Sequence, residues 1–216
     1  MRYWEWSDPF KVNPKETALI IVDMQRGFVD EGYCFYTPQA NSQIPTIANL
    51  KKFCNDQGIP VFMSVFAQDE NYHHDFYWFR NKERGLLNDD GTCKLRLGTK
   101  DCEMTDALAP QGDDVVFTKY TYSCFAHTDL EKWLQEKKIK TVIVCGTCTN
   151  WCVDSTIRDA YHKDYNVVAL ADCISTFPHA GADVETWNSI EFDLWGEGFA
   201  RVTTSDKIMK EIEQAK

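Results

Sequence analysis

The sequence predicts an α/β fold: a three-layer, doubly wound sandwich around a mostly parallel sheet of six strands. Two observations carry this. Short runs that are apolar on both faces recur along the chain, as in parallel strands covered by helices. Amphipathic stretches of helical length alternate with them, which is the order of a doubly wound sheet. The runs are "TALIIVD" (17–23), "PVFMSVF" (60–66), "DVVFTK" (114–119), "TVIVCG" (141–146) and "NVVALAD" (166–172), with a weaker sixth, "FARVTT" (199–204). Helices are expected at 41–57, 127–137, 149–163, 181–194 and 205–215, separated by turn signals such as Gly58-Ile59-Pro60 and Gly112-Asp113-Asp114. Repeats and low-complexity linkers are absent, and 216 residues, 44% of them hydrophobic, fit one domain spanning 1–216. The stretch 67–112 is irregular, aromatic and charged, as a functional loop or lid would be.

Composition narrows the function classes. A net charge of −10 argues against nucleic-acid and anionic-membrane partners. The start, "MRYWEWSDPFKV", lacks the apolar core and cleavage site of a signal peptide, and no apolar run reaches membrane-spanning length. Nine cysteines, an odd number scattered through the chain, read as reduced thiols in a cytoplasmic protein, most of them small buried hydrophobes.

In open parallel sheets, ligands bind beyond the carboxyl ends of the strands. The first strand ends in Asp23, followed by Met24, Gln25 and Phe28. The third ends in Lys119, followed by Tyr120 and Tyr122. The fourth runs into Gly146-Thr147-Cys148, and a helix then opens with Cys152 in its first turn. An acid, a base and a thiol therefore meet on one edge. Cys145 closes an apolar run and reads as inert. Cys145-Gly-Thr-Cys148 has the spacing of a redox dithiol, but its first thiol is still inside the strand. Zinc on Cys145, Cys148 and Cys152 would need a further ligand, and no second cluster has that spacing. At a helix start, unpaired N–H groups and the dipole would lower the Cys152 thiol and could hold an oxyanion. Spacing alone leaves Cys152 between a catalytic and a structural role.

The stretches "LIIVDMQRGF" (19–28), "VVFTKYTYSCF" (115–125) and "GTCTNWCVDSTIRDAY" (146–161) resemble the three signatures of the isochorismatase-like cysteine hydrolase superfamily, with the same element order over roughly 15–215. The resemblance implies a catalytic triad of Asp23, Lys119 and Cys152. It also implies a cis peptide at Thr147–Cys148 and an oxyanion hole from the N–H groups of Cys148 and Cys152. On that reading Cys152 attacks a carbonyl, Asp23 shuttles protons, Lys119 orients Asp23, and a thioester is hydrolysed after ammonia leaves. Nicotinamidases of this superfamily place an aspartate, a histidine two residues on, and a further histidine after the second strand. Here Asp69 is followed by Asn71, and His73 and His74 are neighbours whose side chains diverge. The expectation is therefore no metal and no cofactor, and a small amide, ureide or carbamoyl substrate. Nicotinamidase, an isochorismatase-type hydrolase, a CxxC redox protein and a non-catalytic binding module are the alternatives. Phe28, Tyr120, Tyr122 and Trp151 flank the signatures and are expected to wall the substrate. Gln25 is expected to orient Asp23 or touch the substrate, and Asn188 falls where relatives carry a pocket residue. Arg80, Lys82 and Arg84 could meet a carboxylate. By resemblance, the chain forms homodimers or homotetramers.

Overall fold

The computed structural model describes residues 2–69, 80, 82–84 and 86–215. Its sheet consists of β1 (Thr17–Val22), β2 (Val61–Phe66), β3 (Val115–Lys119), β4 (Thr141–Thr147), β5 (Asn166–Ser175) and β6 (Arg201–Thr203). All pairings are parallel, in the order β3-β2-β1-β4-β5-β6. β1, β2 and β4 are buried along their whole length, which explains their continuous apolar runs. β3 departs from that expectation: it is an edge strand, and Val116 is exposed.

The helices with described bounds include α1 (Arg26–Val29), α2 (Pro38–Asp56), α3 (Leu130–Glu136), α4 (Asp154–His162), α5 (Val184–Gly198) and α6 (Ser205–Gln214). α2 starts three residues before its apolar pattern, because Pro38 stands in the first turn, where its missing N–H costs nothing. Asp183 caps α5 by accepting from the Thr186 N–H at 2.8 Å. Right-handed crossovers put α2 on one face of the sheet and α3, α4 and α5 on the other. α6 returns to pack against α2, and Trp133 of α3 lies against Phe62 and Phe117 on the opposite face.

The chain order reverses between β1 and β4, so their carboxyl ends open a crevice at a topological switch point. Gly146 makes the close fit there possible. Its φ is 116°, and a Cβ would stand 2.1 Å from the Val22 carbonyl oxygen. The 67–112 stretch is partly built into the body of the protein. Leu95 is fully buried, and two short 3-10 turns cover Lys100–Cys102 and Asp106–Leu108. Lys51 and Asp114 form a buried ion pair at 2.7 Å beneath it. No helix among the described residues is long and apolar enough to cross a membrane.

Candidate active site

Asp23 follows β1 directly, with φ of 50°, a left-handed conformation that aspartate tolerates better than most residues. It is completely buried. Ser64, in the middle of β2, fixes it from the side: the Asp23 N–H donates to Ser64 Oγ at 3.1 Å, and that hydroxyl donates to Asp23 Oδ1 at 2.6 Å. The other carboxylate oxygen lies 2.7 Å from Lys119 Nζ, and neither side chain of this pair is exposed. Lys119 closes β3 opposite Phe66 in the register, so its side chain passes the end of β2 to reach Asp23. Its ammonium also donates to the Thr121 carbonyl at 3.1 Å and sits 4.9 Å from the centre of the Phe66 ring. Burial works against the lysine charge, but Asp23, with Cys152 and Cys124 nearby, outweighs it and holds Lys119 protonated well above its ordinary range.

Between β4 and α4 the chain makes a π-helical turn, Thr149–Val153, where the sequence pattern predicted the start of an α-helix. Asn150 interrupts it with φ −91° and ψ 24°. Side chains clamp the turn. Thr149 donates to Asn188 Oδ1 at 2.6 Å, Asn188 donates on to Gln39 at 3.1 Å, and Thr156 Oγ1 donates to the Cys152 carbonyl at 2.7 Å. The Thr147–Cys148 peptide is cis. The Cys148 N–H donates to no protein acceptor among the described residues, so it is available to a ligand.

This turn brings Cys152 close enough to Asp23 and Lys119 for their charges to act on its thiol. Here one expectation fails. A helix start was expected to lower the thiol, yet burial pushes it well above its ordinary value. Asp23 pushes the same way, and Lys119 only partly offsets them. In the resting protein Cys152 is a neutral thiol next to a base. Cys145 and Cys148 are buried and raised as well, Cys148 to about 12. All nine cysteines are free, and neither member of the CxxC pair offers the exposed low-pKa thiol of a dithiol oxidoreductase.

Cys148 and Cys152 line a small cavity. Its walls are aromatic: Phe28, Phe66, Tyr122 and Trp151 line it, and the last two rings pack at 5.4 Å. Phe35 and Phe177 complete the wall, and Arg84 lines the cavity too, its guanidinium 5.9 Å from the Phe35 ring. Of the expected site residues, Cys148, Cys152, Phe28, Tyr122 and Trp151 line this cavity, while Asp23 and Lys119 are buried outside its lining. Tyr120 is half-buried outside this lining. Gln25 spends its carboxamide on backbone, bonding both the N–H and the carbonyl of Phe66 and the carbonyl of Asp101. Asn188 stands behind the π turn rather than in the cavity. Asn71, His73 and His74 lie outside the described residues. Among those described, no group of three or more His, Cys, Asp or Glu is arranged to hold a metal ion.

The buried acid–base pair and the thiol thus lie at the switch point of a parallel α/β sheet, where ligands of such sheets bind. Residues 17–207 match the isochorismatase domain model, and the chain belongs to the isochorismatase family of hydrolases. Its curated relatives include the ureidoacrylate amidohydrolase RutB of Pseudomonas syringae pv. syringae, 32% identical over 183 residues, 76% of this chain and 73% of that protein. RutB of Rhizobium rhizogenes is 32% identical over 194 residues, 82% of this chain and 76% of that protein. Among solved structures, a cysteine hydrolase from Pseudomonas syringae pv. phaseolicola superposes with a TM-score of 0.85 at 29% identity, over 98% of this chain and all of the other. An isochorismatase-like hydrolase from Alkaliphilus metalliredigens gives 0.76 at 27% identity, over 90% of this chain and 98% of the other.

Proposed function

We propose that this protein is a cysteine-dependent amidohydrolase that cleaves a C–N bond of a small amide, ureide or carbamoyl compound through a thioester on Cys152. The observation that carries the reading is that Cys152 lines an aromatic cavity next to the fully buried Asp23–Lys119 pair, whose charges act on its thiol. As Cys152 Sγ attacks the carbonyl carbon, its proton passes to Asp23. The developing oxyanion takes the Cys148 N–H, with that of Cys152 beside it. Asp23 returns the proton to the leaving nitrogen, the C–N bond breaks, and ammonia or an amine departs. Water then attacks the thioester, giving its proton to Asp23, and the thiol is restored. Lys119, 2.7 Å from the Asp23 carboxylate, orients it for these transfers.

The aromatic walls suit a small, flat substrate. Arg84, the cationic residue among the described lining, suits a carboxylate at the far end from the scissile bond. The names of the curated relatives point the same way, ureidoacrylate being such a compound. The test is an ammonia-release screen over ureidoacrylate, N-carbamoyl amino acids, biuret, triuret and nicotinamide. Cys152→Ala abolishes the activity found, Cys148→Ser retains it, and Arg84→Gln raises KM for carboxylate-bearing substrates but not for biuret. Turnover surviving in Cys152→Ala overturns the mechanism.

A further inference from the structure

We infer that His179 is a positioning residue for this reaction: as a neutral imidazole it holds the Asn150 carboxamide, and so fixes the turn that carries Cys148 and Cys152. The inference rests on the functional reading above. Asn150 is the residue whose backbone leaves the helical region inside the π turn, two positions before the nucleophile. Its carboxamide is held from two sides. Nδ2 lies 2.8 Å from His179 Nε2, and Oδ1 accepts from Thr176 Oγ1 at 2.9 Å.

The other ring nitrogen decides the protonation state. His179 Nδ1 is 2.7 Å from the Phe177 carbonyl oxygen, which can only accept, so Nδ1 carries a hydrogen. Asn150 Nδ2 can only donate, so Nε2 must present its lone pair. Together the two contacts select one neutral tautomer. A proton on Nε2 would set donor against donor. The carboxamide would then have to turn over, which the Thr176 hydroxyl permits because it both donates and accepts.

The ring also packs against residues of the cavity wall. It stacks on Trp187 of α5 at 5.0 Å and 11°, and lies against Phe177 at 4.7 Å and Trp151 at 5.9 Å; the last two line the cavity. No charged side chain among the described residues contacts the ring. The α5 start contributes Asp183, whose carboxylate caps its own helix, and the exposed Glu185. The π turn contributes only the Cys152 thiol, and the 176–182 loop, which pairs His179 with Ala182 through backbone, contributes no charge.

The experiment compares wild type, His179→Gln and His179→Phe on a substrate from the screen, with kcat and KM measured separately. Glutamine offers an amide oxygen to Asn150. It should keep most of the turnover. Phenylalanine keeps the stack on Trp187 but has no acceptor. It should lose kcat on the order of 10-fold or more, with KM nearly unchanged and the melting temperature close to wild type. Wild-type kcat in His179→Phe, or a loss of kcat in His179→Gln as deep as in His179→Phe, overturns the proposal. Imidazole nitrogen NMR separates this from failure of the functional reading. If no substrate is hydrolysed, or Cys152→Ala remains active, that reading falls alone. The His179 assignment still requires a protonated Nδ1 and a bare Nε2 near neutrality, with Nε2 shifting in Asn150→Ala. An Nε2–H tautomer refutes it.

Discussion

Replacing Lys119 by methionine leaves Asp23 buried without its counter-charge, and the structure sets the size of the effect. The two groups stand 2.7 Å apart with both side chains fully buried, so solvent cannot compensate for the loss. Breaking such a pair costs about 3–5 kcal/mol if the remaining charge persists. Proton uptake by Asp23 caps that cost. An aspartate with an unfolded value of about 3.9 is protonated at about pH 7 for about 4 kcal/mol, and at about pH 5 for about 1.5 kcal/mol. In the variant the folded Asp23 value lies above the unfolded one. Its contribution to stability is then complete below about pH 3.9 and is lost as pH rises through the raised folded value. The stability deficit of Lys119→Met should therefore shrink by about 2–3 kcal/mol between about pH 7 and about pH 5. Urea unfolding at the two pH values measures it, and the double variant Lys119→Met/Asp23→Asn should show no such pH dependence. Turnover should fall by about 10²–10⁴, because a protonated Asp23 is no base. A deficit that does not change with pH would refute the reasoning, since Asp23 would then not depend on Lys119 for its charge.

Three other outcomes follow from the same geometry. Asp23→Asn removes a group that raises the Cys152 thiol. Iodoacetamide labelling of the Cys152 peptide, read by mass spectrometry because Cys34 is exposed, should proceed at least as fast as in wild type while turnover collapses; slower labelling contradicts the coupling. Gly146→Ala sets a Cβ against Val22 backbone at 2.1 Å and should cost more than about 4 kcal/mol in urea unfolding. Gly58→Ala, with φ of 71° and open space around it, should cost only about 1–2 kcal/mol, and equal costs would contradict the packing at the switch point. Burial raises Cys54, Cys102 and Cys148 to about 12, so their contribution to stability is complete below the unfolded thiol value of about 8.5 and lost as pH climbs toward 12. Stability should fall above about pH 8.5, and Cys54→Ala should flatten that slope by up to about 1.4 kcal/mol per pH unit; an unchanged slope would refute it.

The sheet and the edge where Asp23, Lys119 and Cys152 meet were legible because a buried parallel strand is an apolar run, and polar residues mark its carboxyl end. Asp23 follows β1, and Thr118-Lys119 closes β3. β5 runs on to Ser175, past the polar Asp172, across a register shift against β4 that an apolar-run criterion cannot see. The π turn was hidden because helical propensity does not distinguish its hydrogen bonding from that of an α-helix. What sets it is the clamp of Thr149 by Asn188 and of Asn150 by His179, partners 39 and 29 residues away. Ser64 left a faint mark, a lone hydroxyl inside "PVFMSVF", whose use depends on lying beside Asp23. The ion pair Lys51–Asp114 joins a helix to the edge of a strand, a contact no local pattern encodes. The Cys152 thiol was misjudged because the helix start was weighed without the depth at which the turn lies.

The central claim is that Cys152 carries the acyl group. Rapid acid quench during steady-state turnover of a slow carbamoyl or amide substrate, followed by peptide mass spectrometry, measures it directly. The account predicts an acyl adduct on the peptide containing Cys152, which accumulates before the steady state and is absent from Cys145 and Cys148. Turnover with no adduct on Cys152, or with the adduct on another cysteine, would contradict it.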